Sequence, residues 1–199
     1  MNLRFFLSSV LLTGLSSVAL AQQDVQFTQY YHNTIGFNPG VAGSNDAICL
    51  NIGNRSQWVG FDNAPTTQNI NADIPLSILH GGLLVNIVND QIGFFQDISA
   101  AIGYAYQLDL GPGTLGLGLS VDFRNKNVKT AQWIYPDGTA GSNDPTILRP
   151  NTSAMTPELN FGAYYTTDLF YAGLSTSRML QSEANFGGSA RYKSKLHYY

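Results

Sequence analysis

The sequence is short of cysteine, of charge and of long apolar runs, and each shortage closes off a class of protein. The single cysteine, Cys49, cannot form an internal disulfide, so stability must come from backbone pairing and burial. Charged residues make up only 12% of the 199 positions, about half the share usual in a soluble domain, and Gly, Ser, Thr, Asn and Gln take their place. Ten basic residues scattered along a chain of net charge -3 exclude nucleic acid as a partner. After residue 21 no apolar run reaches the length of a spanning helix. His32, His80 and His197 stand far apart without metal-ligand spacing, so no metal or cofactor is expected.

What the chain does have is alternation. Ala100, Ile102, Tyr104, Tyr106, Leu108 and Leu110 alternate with Ser99, Ala101, Gly103, Ala105, Gln107 and Asp109. After Gly111-Pro112-Gly113, the residues Leu115, Leu117, Leu119, Val121 and Phe123 alternate with Gly116, Gly118, Ser120, Asp122 and Arg124. A period of two means strands, because successive side chains leave opposite faces of the pleat. One face is apolar with aromatics near its ends and the other is small and polar. Runs of about ten residues suit tilted strands that cross a membrane with one face in lipid and one in water. Shorter runs repeat the pattern at 48–53, 69–74, 81–88, 158–165 and 170–175, and a last segment lies at 192–199. Short links at 75–80, 111–113 and 166–168 interleave with longer polar ones at 54–67, 89–97, 125–157 and 176–190. The expected fold is all-β: an antiparallel transmembrane β-barrel of the outer membrane with about eight strands, the alternative being a soluble sandwich. Leu117→Arg on the lipid side is expected to block assembly. Gly116→Arg on the inner side is expected to be milder unless a segment plugs the interior.

The chain divides into three parts. Residues 1–21 read as an export signal: Arg4 precedes an apolar stretch from Phe5 to Leu20, and Ala19-Leu20-Ala21 is a small-x-small cleavage site. Residues 22–46 form an N-terminal periplasmic or lumenal segment: a plug, a docking strand or an amphipathic first strand. Residues 47–199 are the barrel. Its inner faces are so small that an eight-stranded lumen would be under-packed. Either the chain is truncated at its C-terminus and belongs to a larger barrel, or the N-terminal segment fills the space.

Several blocks carry a resemblance. Gln23 to Tyr30, Asn38 to Ser44, Asn54 to Gln68 with its Trp58-Val59-Gly60-Phe61-Asp62-Asn63-Ala64-Pro65 core, and Val88 to Gly93 resemble the PorP/SprF family in order and spacing. The resemblance implies a non-enzymatic integral outer-membrane component of the type IX protein secretion system of Bacteroidetes-type bacteria. It implies as partners outer-membrane lipid, other secretion-system envelope proteins and, for some members, a secreted gliding adhesin.

The candidate partner-binding residues are Arg55, Gln57, Trp58, Phe61 and Pro65 of the 54–67 loop, with Phe27 and Tyr30 of the N-terminal segment. Gly60, Asn63 and Pro65 set the turns of that loop. Trp58 and Phe61 give it large, stiff apolar bodies of the kind that anchor interfaces, although both would also serve as girdle aromatics at the membrane boundary. The inward charges Asp73, Asp109, Asp122, Arg124 and Glu158 read as lumenal structure and not as a catalytic set. Gly111-x-Gly113-x-x-Gly116 matches a dinucleotide fingerprint in letters, but a proline and a strand stand where the phosphate-binding helix would be. Calcium at Asp137, Asn143 and Asp144 is the lesser reading of a solvated loop. A passive outer-membrane pore is the next functional class. An outer-membrane enzyme comes last, because His80 has no nucleophile signature beside it.

Overall fold

The structure is a computed structural model that describes residues 25, 27, 30–45, 47–129, 152–186 and 191–199. The 1–21 segment and Asp137, Asn143 and Asp144 lie outside these residues. Three short 3-10 turns (Tyr30–His32, Thr34–Gly36 and Pro39–Val41) precede the strands. These are β1 (Cys49–Ser56), β2 (Thr66–Leu76), β3 (Gly81–Ile92), β4 (Phe95–Leu110), β5 (Gly113–Val128), β6 (Thr152–Thr166), β7 (Tyr171–Ser177), β8 (Glu183–Asn185), β9 (Arg191–Lys193) and β10 (His197–Tyr198). One antiparallel sheet takes the order β1-β2-β3-β4-β5-β6-β7-β10, and β8 pairs with β9 apart from it. The sheet is open, since β1 and β10 do not pair. Among the described residues no helix is long and apolar enough to cross a membrane.

The alternation read in the sequence sorts by exposure, and in the opposite sense to a soluble protein. On the apolar face Ile102, Leu119, Phe123 and Leu174 are 57%, 53%, 46% and 68% exposed. Opposite them Asn69, Asn71, Asp73, Ser99, Ser120, Asp122 and Glu158 are buried. A sandwich would cover the apolar face with a second sheet, and none lies there among the described residues.

Two expectations about the links change. The 89–97 stretch is not a long polar link: β3 and β4 run on to Ile92 and Phe95 and meet in a two-residue turn, Gly93-Phe94. Gly93 has a φ of +60 and Gly111 a φ of +63, each at the first central position of its two-residue turn, where a II′ hairpin needs glycine. The polar residues that suggested a loop lie above the apolar band, where even the outward face carries amides: the Asn89 side chain donates to Gln68 and accepts from Gln96. The second change is at Pro157, which lies inside β6 opposite Phe123. Its carbonyl accepts from the Ser182 hydroxyl, so the side lacking an N–H faces away from β5, beyond the point where the β7 ladder has ended at Phe161. Proline is tolerated at such an edge.

The register sets the inner face in level rows. Gly82, Ala105, Gly118, Gly162 and Ser175 form a row of small residues across β3 to β7. Further along, Asn51, Asn71, Asn86, Ala101, Asp122 and Glu158 form a nearly continuous polar row across β1 to β6. Beyond that lies a charged row of Arg55, Thr67, Asp90, Asp97 and Lys126. Like charges directly opposite each other oppose pairing. Here Asp90 and Asp97 face each other, and each has its own compensation: Thr67 Oγ1 donates to Asp90 at 2.6 Å, and Lys126 pairs with Asp97.

The small row carries a load. Residues 33–43 lie across it, and a Cβ at Gly118 would fall on the Pro39 carbonyl. Ile35, Val41, Ala42, Leu84 and Ala105 make a small core there, with Tyr164 against it.

Candidate functional site

The loop between β1 and β2, residues 57–65, is pinned at its neck and bare at its tip. Gln57 N–H donates to the Pro65 carbonyl at 2.9 Å, and Pro65 is buried. Phe61 N–H donates to Trp58 O at 3.2 Å, and Gly93 N–H donates to Asn63 O at 3.1 Å, which ties the loop to the β3–β4 turn. Trp58 and Asn63 have φ of 50 and 58, the left-handed region that side chains disfavour. For a residue as bulky as tryptophan such a backbone is a genuine outlier, and it is held between the neck bond from Gln57 to Pro65 and the Phe61 N–H bond to its own carbonyl. The tip carries Trp58, Val59 and Phe61, which are 69%, 85% and 76% exposed.

The structure separates the candidate residues into two groups. Gln57, Trp58, Phe61 and Pro65 belong to the loop, where Gln57 and Pro65 hold the neck and Trp58 and Phe61 face outward. Arg55 lies lower, in β1 on the inner face, in the charged row. With Phe27, His32 and Asn33 it lines a cavity of about 500 Å³ along β1. Phe27 meets Phe37 edge to face with ring centroids 6.2 Å apart, and Tyr30, half exposed, stands in the same relation to Tyr31. Tyr30 and Phe27 also line a cleft of about 400 Å³ with Phe37, Tyr164, Tyr171 and Tyr199.

Sequence reasoning missed Val59, the most exposed of the tip's large apolar residues, and Ile92 and Phe95 on the adjoining turn, 50% and 59% exposed. The signal was present: an apolar side chain between Trp58 and Gly60, and two apolar residues flanking a Gly-Phe turn.

At the loop end of the inner face, charges are paired. Arg124 bridges Asp97 at 3.4 Å and Asp122 at 3.2 Å. Glu158 is wholly buried and accepts from Ser182 N–H at 3.0 Å. Arg178 donates from its backbone to Asn160 at 3.0 Å and from its guanidinium to Tyr192 at 3.3 Å, while the Lys126 ammonium lies 4.5 Å from the centre of the Tyr192 ring. The segment holding β8 and β9 thus caps that end, with Ala184 and Phe186 packed on Val128. Asp109, expected among the inner charges, is exposed beside the Gly111 turn and pairs in register with Thr114, away from Asp122.

The sheet thus hides amides and carboxylates and bares leucine. The family model for the type IX secretion system membrane protein PorP/SprF matches residues 19–199. The chain belongs to the PorP/SprF family. No curated protein and no solved structure matches it. The PorP/SprF assignment makes the chain a membrane component of the type IX secretion system. All four blocks that carry the resemblance lie within the matched span. The Asn54–Gln68 block forms the end of β1, the pinned loop and the start of β2.

Proposed function

We propose that this PorP/SprF protein is a non-enzymatic component of the type IX secretion system that resides in the outer membrane as a β-barrel wall. On this reading it works by gripping other secretion-system envelope proteins through the 57–65 loop. The observation that carries the reading is the sidedness of the sheet. The apolar outward run from Ile98 to Leu110 spans about 40 Å of strand, or about 30 Å at the tilt usual for barrel strands, and that matches the hydrocarbon thickness of a bilayer. At the short-turn end, Tyr104 and Tyr165 donate their hydroxyls to the carbonyls of Leu79 at 2.6 Å and Leu110 at 3.0 Å. Apolar ring bodies with satisfied hydroxyls suit a membrane boundary. An open sheet edge does not persist in hydrocarbon, so on this reading the β1 edge is paired in the membrane, by further strands of a larger barrel or by another chain. A secreted adhesin is the finer partner that the family allows.

Membrane residence is checked by fractionation and by heat-modifiable gel mobility of the native product. A freely soluble monomer obtained without detergent overturns it. The docking role is checked at the tip. Trp58→Ala is expected to lower co-purification of envelope partners from detergent-solubilised membranes at least severalfold while leaving the amount of assembled protein unchanged. An assembly defect of the same size as the binding defect would assign Trp58 to the membrane girdle instead.

A further inference from the structure

The two ends of the sheet differ in chemistry. Among the described residues every arginine and lysine, from Arg55 in β1 to Lys195 before β10, lies toward the loop end. At the other end β2 turns into β3, β4 into β5 and β6 into β7. The turns there hold only His80 and Asp168 as charge-bearing side chains, with Asp109 just before Gly111. Turns that face water are built from Gly, Pro, Asn, Asp and Ser, yet the tips of two of these turns are aliphatic. Ile78 is 92% exposed and Leu169 is 94% exposed, and Leu79, Leu110 and Phe170 beside them are exposed as well.

These side chains continue the outward apolar face. The last pair before the β2–β3 turn, Leu76 and Gly81, is level with Tyr106, four residues short of the end of the β4 run at Leu110. Ile78, two residues past Leu76, therefore reaches no farther than that run does. The loop end behaves differently, because there the outward face changes to amides, Gln68, Asn89 and Gln96, before the strands finish.

The backbone of the turns is satisfied from within the protein. In lipid each main-chain N–H and C=O needs such a partner, whereas in water the solvent supplies one. The tyrosine hydroxyls of Tyr104 and Tyr165 serve the carbonyls of Leu79 and Leu110. In the β6–β7 turn the Thr167 hydroxyl accepts from the N–H of Leu169 at 3.3 Å and of Phe170 at 3.1 Å, and it donates to the Phe170 carbonyl at 2.9 Å. The His80 N–H donates to the Ser77 carbonyl at 3.3 Å. Bare aliphatic tips, absent basic charge and internally paired peptide groups are together what a headgroup layer selects.

We propose that the short-turn rim is a lipid-contact surface. Ile78 and Leu169 sit among the headgroups and first acyl carbons of the adjoining leaflet, so this end of the wall lies flush with the membrane and offers a protein no protruding handle. The inference rests on the membrane reading above and extends it from the strand faces to the turns. It leaves the loop end, with its charges and its bare tip, as the end that stands in water.

The test places a nitroxide on single cysteines in the full-length Cys49→Ser protein, reconstituted alone into phosphatidylethanolamine–phosphatidylglycerol vesicles. The sites are Ile78→Cys and Leu169→Cys, with Leu119→Cys on the outward face of β5 as the lipid reference and Lys193→Cys on exposed β9 as the water reference. Oxygen concentrates in lipid and a nickel chelate stays in water, so the ratio of their relaxing effects reports depth. The ratio at Ile78 and Leu169 is expected at least about fivefold above that at Lys193 and below that at Leu119. A ratio equal to that of Lys193, with Leu119 still in lipid, overturns the proposal and returns the rim to water. Shielding from both relaxants means that protein covers the tips, a second copy in these vesicles, and overturns it too. A Leu119 label that reads as water overturns the membrane reading itself, and the rim falls with it. Heat-modifiable mobility of each labelled variant shows that it is folded.

Discussion

Leu117→Arg is expected to abolish membrane assembly. Leu117 lies on the outward face of β5, in register between Tyr106 of β4 and Ala163 of β6, with Leu115 and Leu119 two residues to either side on the same face. Among the described residues no protein group lies over that face to receive a guanidinium, and in hydrocarbon the arginine costs about 2–4 kcal/mol at the midplane, falling to about 0–1 near the interfaces. A chain of marginal stability loses much of its margin to one such change. Asn125→Arg is the control: Asn125 is outward and exposed on the same strand, opposite Ile98 at the amide-bearing end of the band, and its change is expected to cost under about 1 kcal/mol. Unfolding midpoints of protein refolded into vesicles measure both. Equal tolerance of the two would place the apolar face away from lipid.

The strands were legible because their signal is strict. On the membrane-wall reading one face of each strand must be apolar throughout, and that constraint leaves a period of two that survives even where, as in β3, both faces carry apolar groups. The limits of the strands were less legible, for a physical reason. Beyond the apolar band both faces meet water, so Asn89, Gln91, Gln96 and Asn127 look like loop residues although they sit in ladders. Pro157 read as a strand boundary because a proline in a central strand removes a ladder bond. Which side of β6 had lost its neighbour was visible only in three dimensions. The short β8–β9 hairpin left no trace in the alternation, since three-residue strands are too brief to show a period.

Of the candidate residues, Trp58 and Phe61 declared themselves by size beside turn-forming Gly60 and Asn63. Arg55, two residues before Gln57 in sequence, turned out to belong to the inner face, because strand pairing and not chain proximity decides which side a residue joins. The seat for the N-terminal segment was half visible. Repeated Gly and Ala at alternate positions of β4 and β5 announced missing volume. That residues 33–43 supply it depended on the register that brings Gly82, Gly118 and Gly162 into one row.

Gly118→Val is expected to unseat that segment, and the expectation reverses the ranking that inner positions tolerate change better than outer ones. The milder outcome for Gly116→Arg assumed an empty interior. With Gly40 lying on Gly116 and Pro39 on Gly118, any side chain at either position meets backbone, not solvent. Overpacking of a filled site costs about 1–3 kcal/mol when side chains can yield, and here the opposing atoms are the carbonyl of a proline and the amide that follows it, held by Asn38 Oδ1 accepting from Gly40 N–H at 2.8 Å. Gly118→Ala should therefore weaken the seat and Gly118→Val empty it. The outward faces of β4 to β6 are untouched by either change, so membrane assembly should survive while the segment becomes a substrate for protease. Limited proteolysis of the detergent-solubilised protein, followed by mass analysis, is expected to show cleavage within residues 25–45 that rises from parent to alanine to valine. Resistance in Gly118→Val equal to the parent's would mean that Pro39 does not rest on that strand. The small row would then have to be explained by some other occupant.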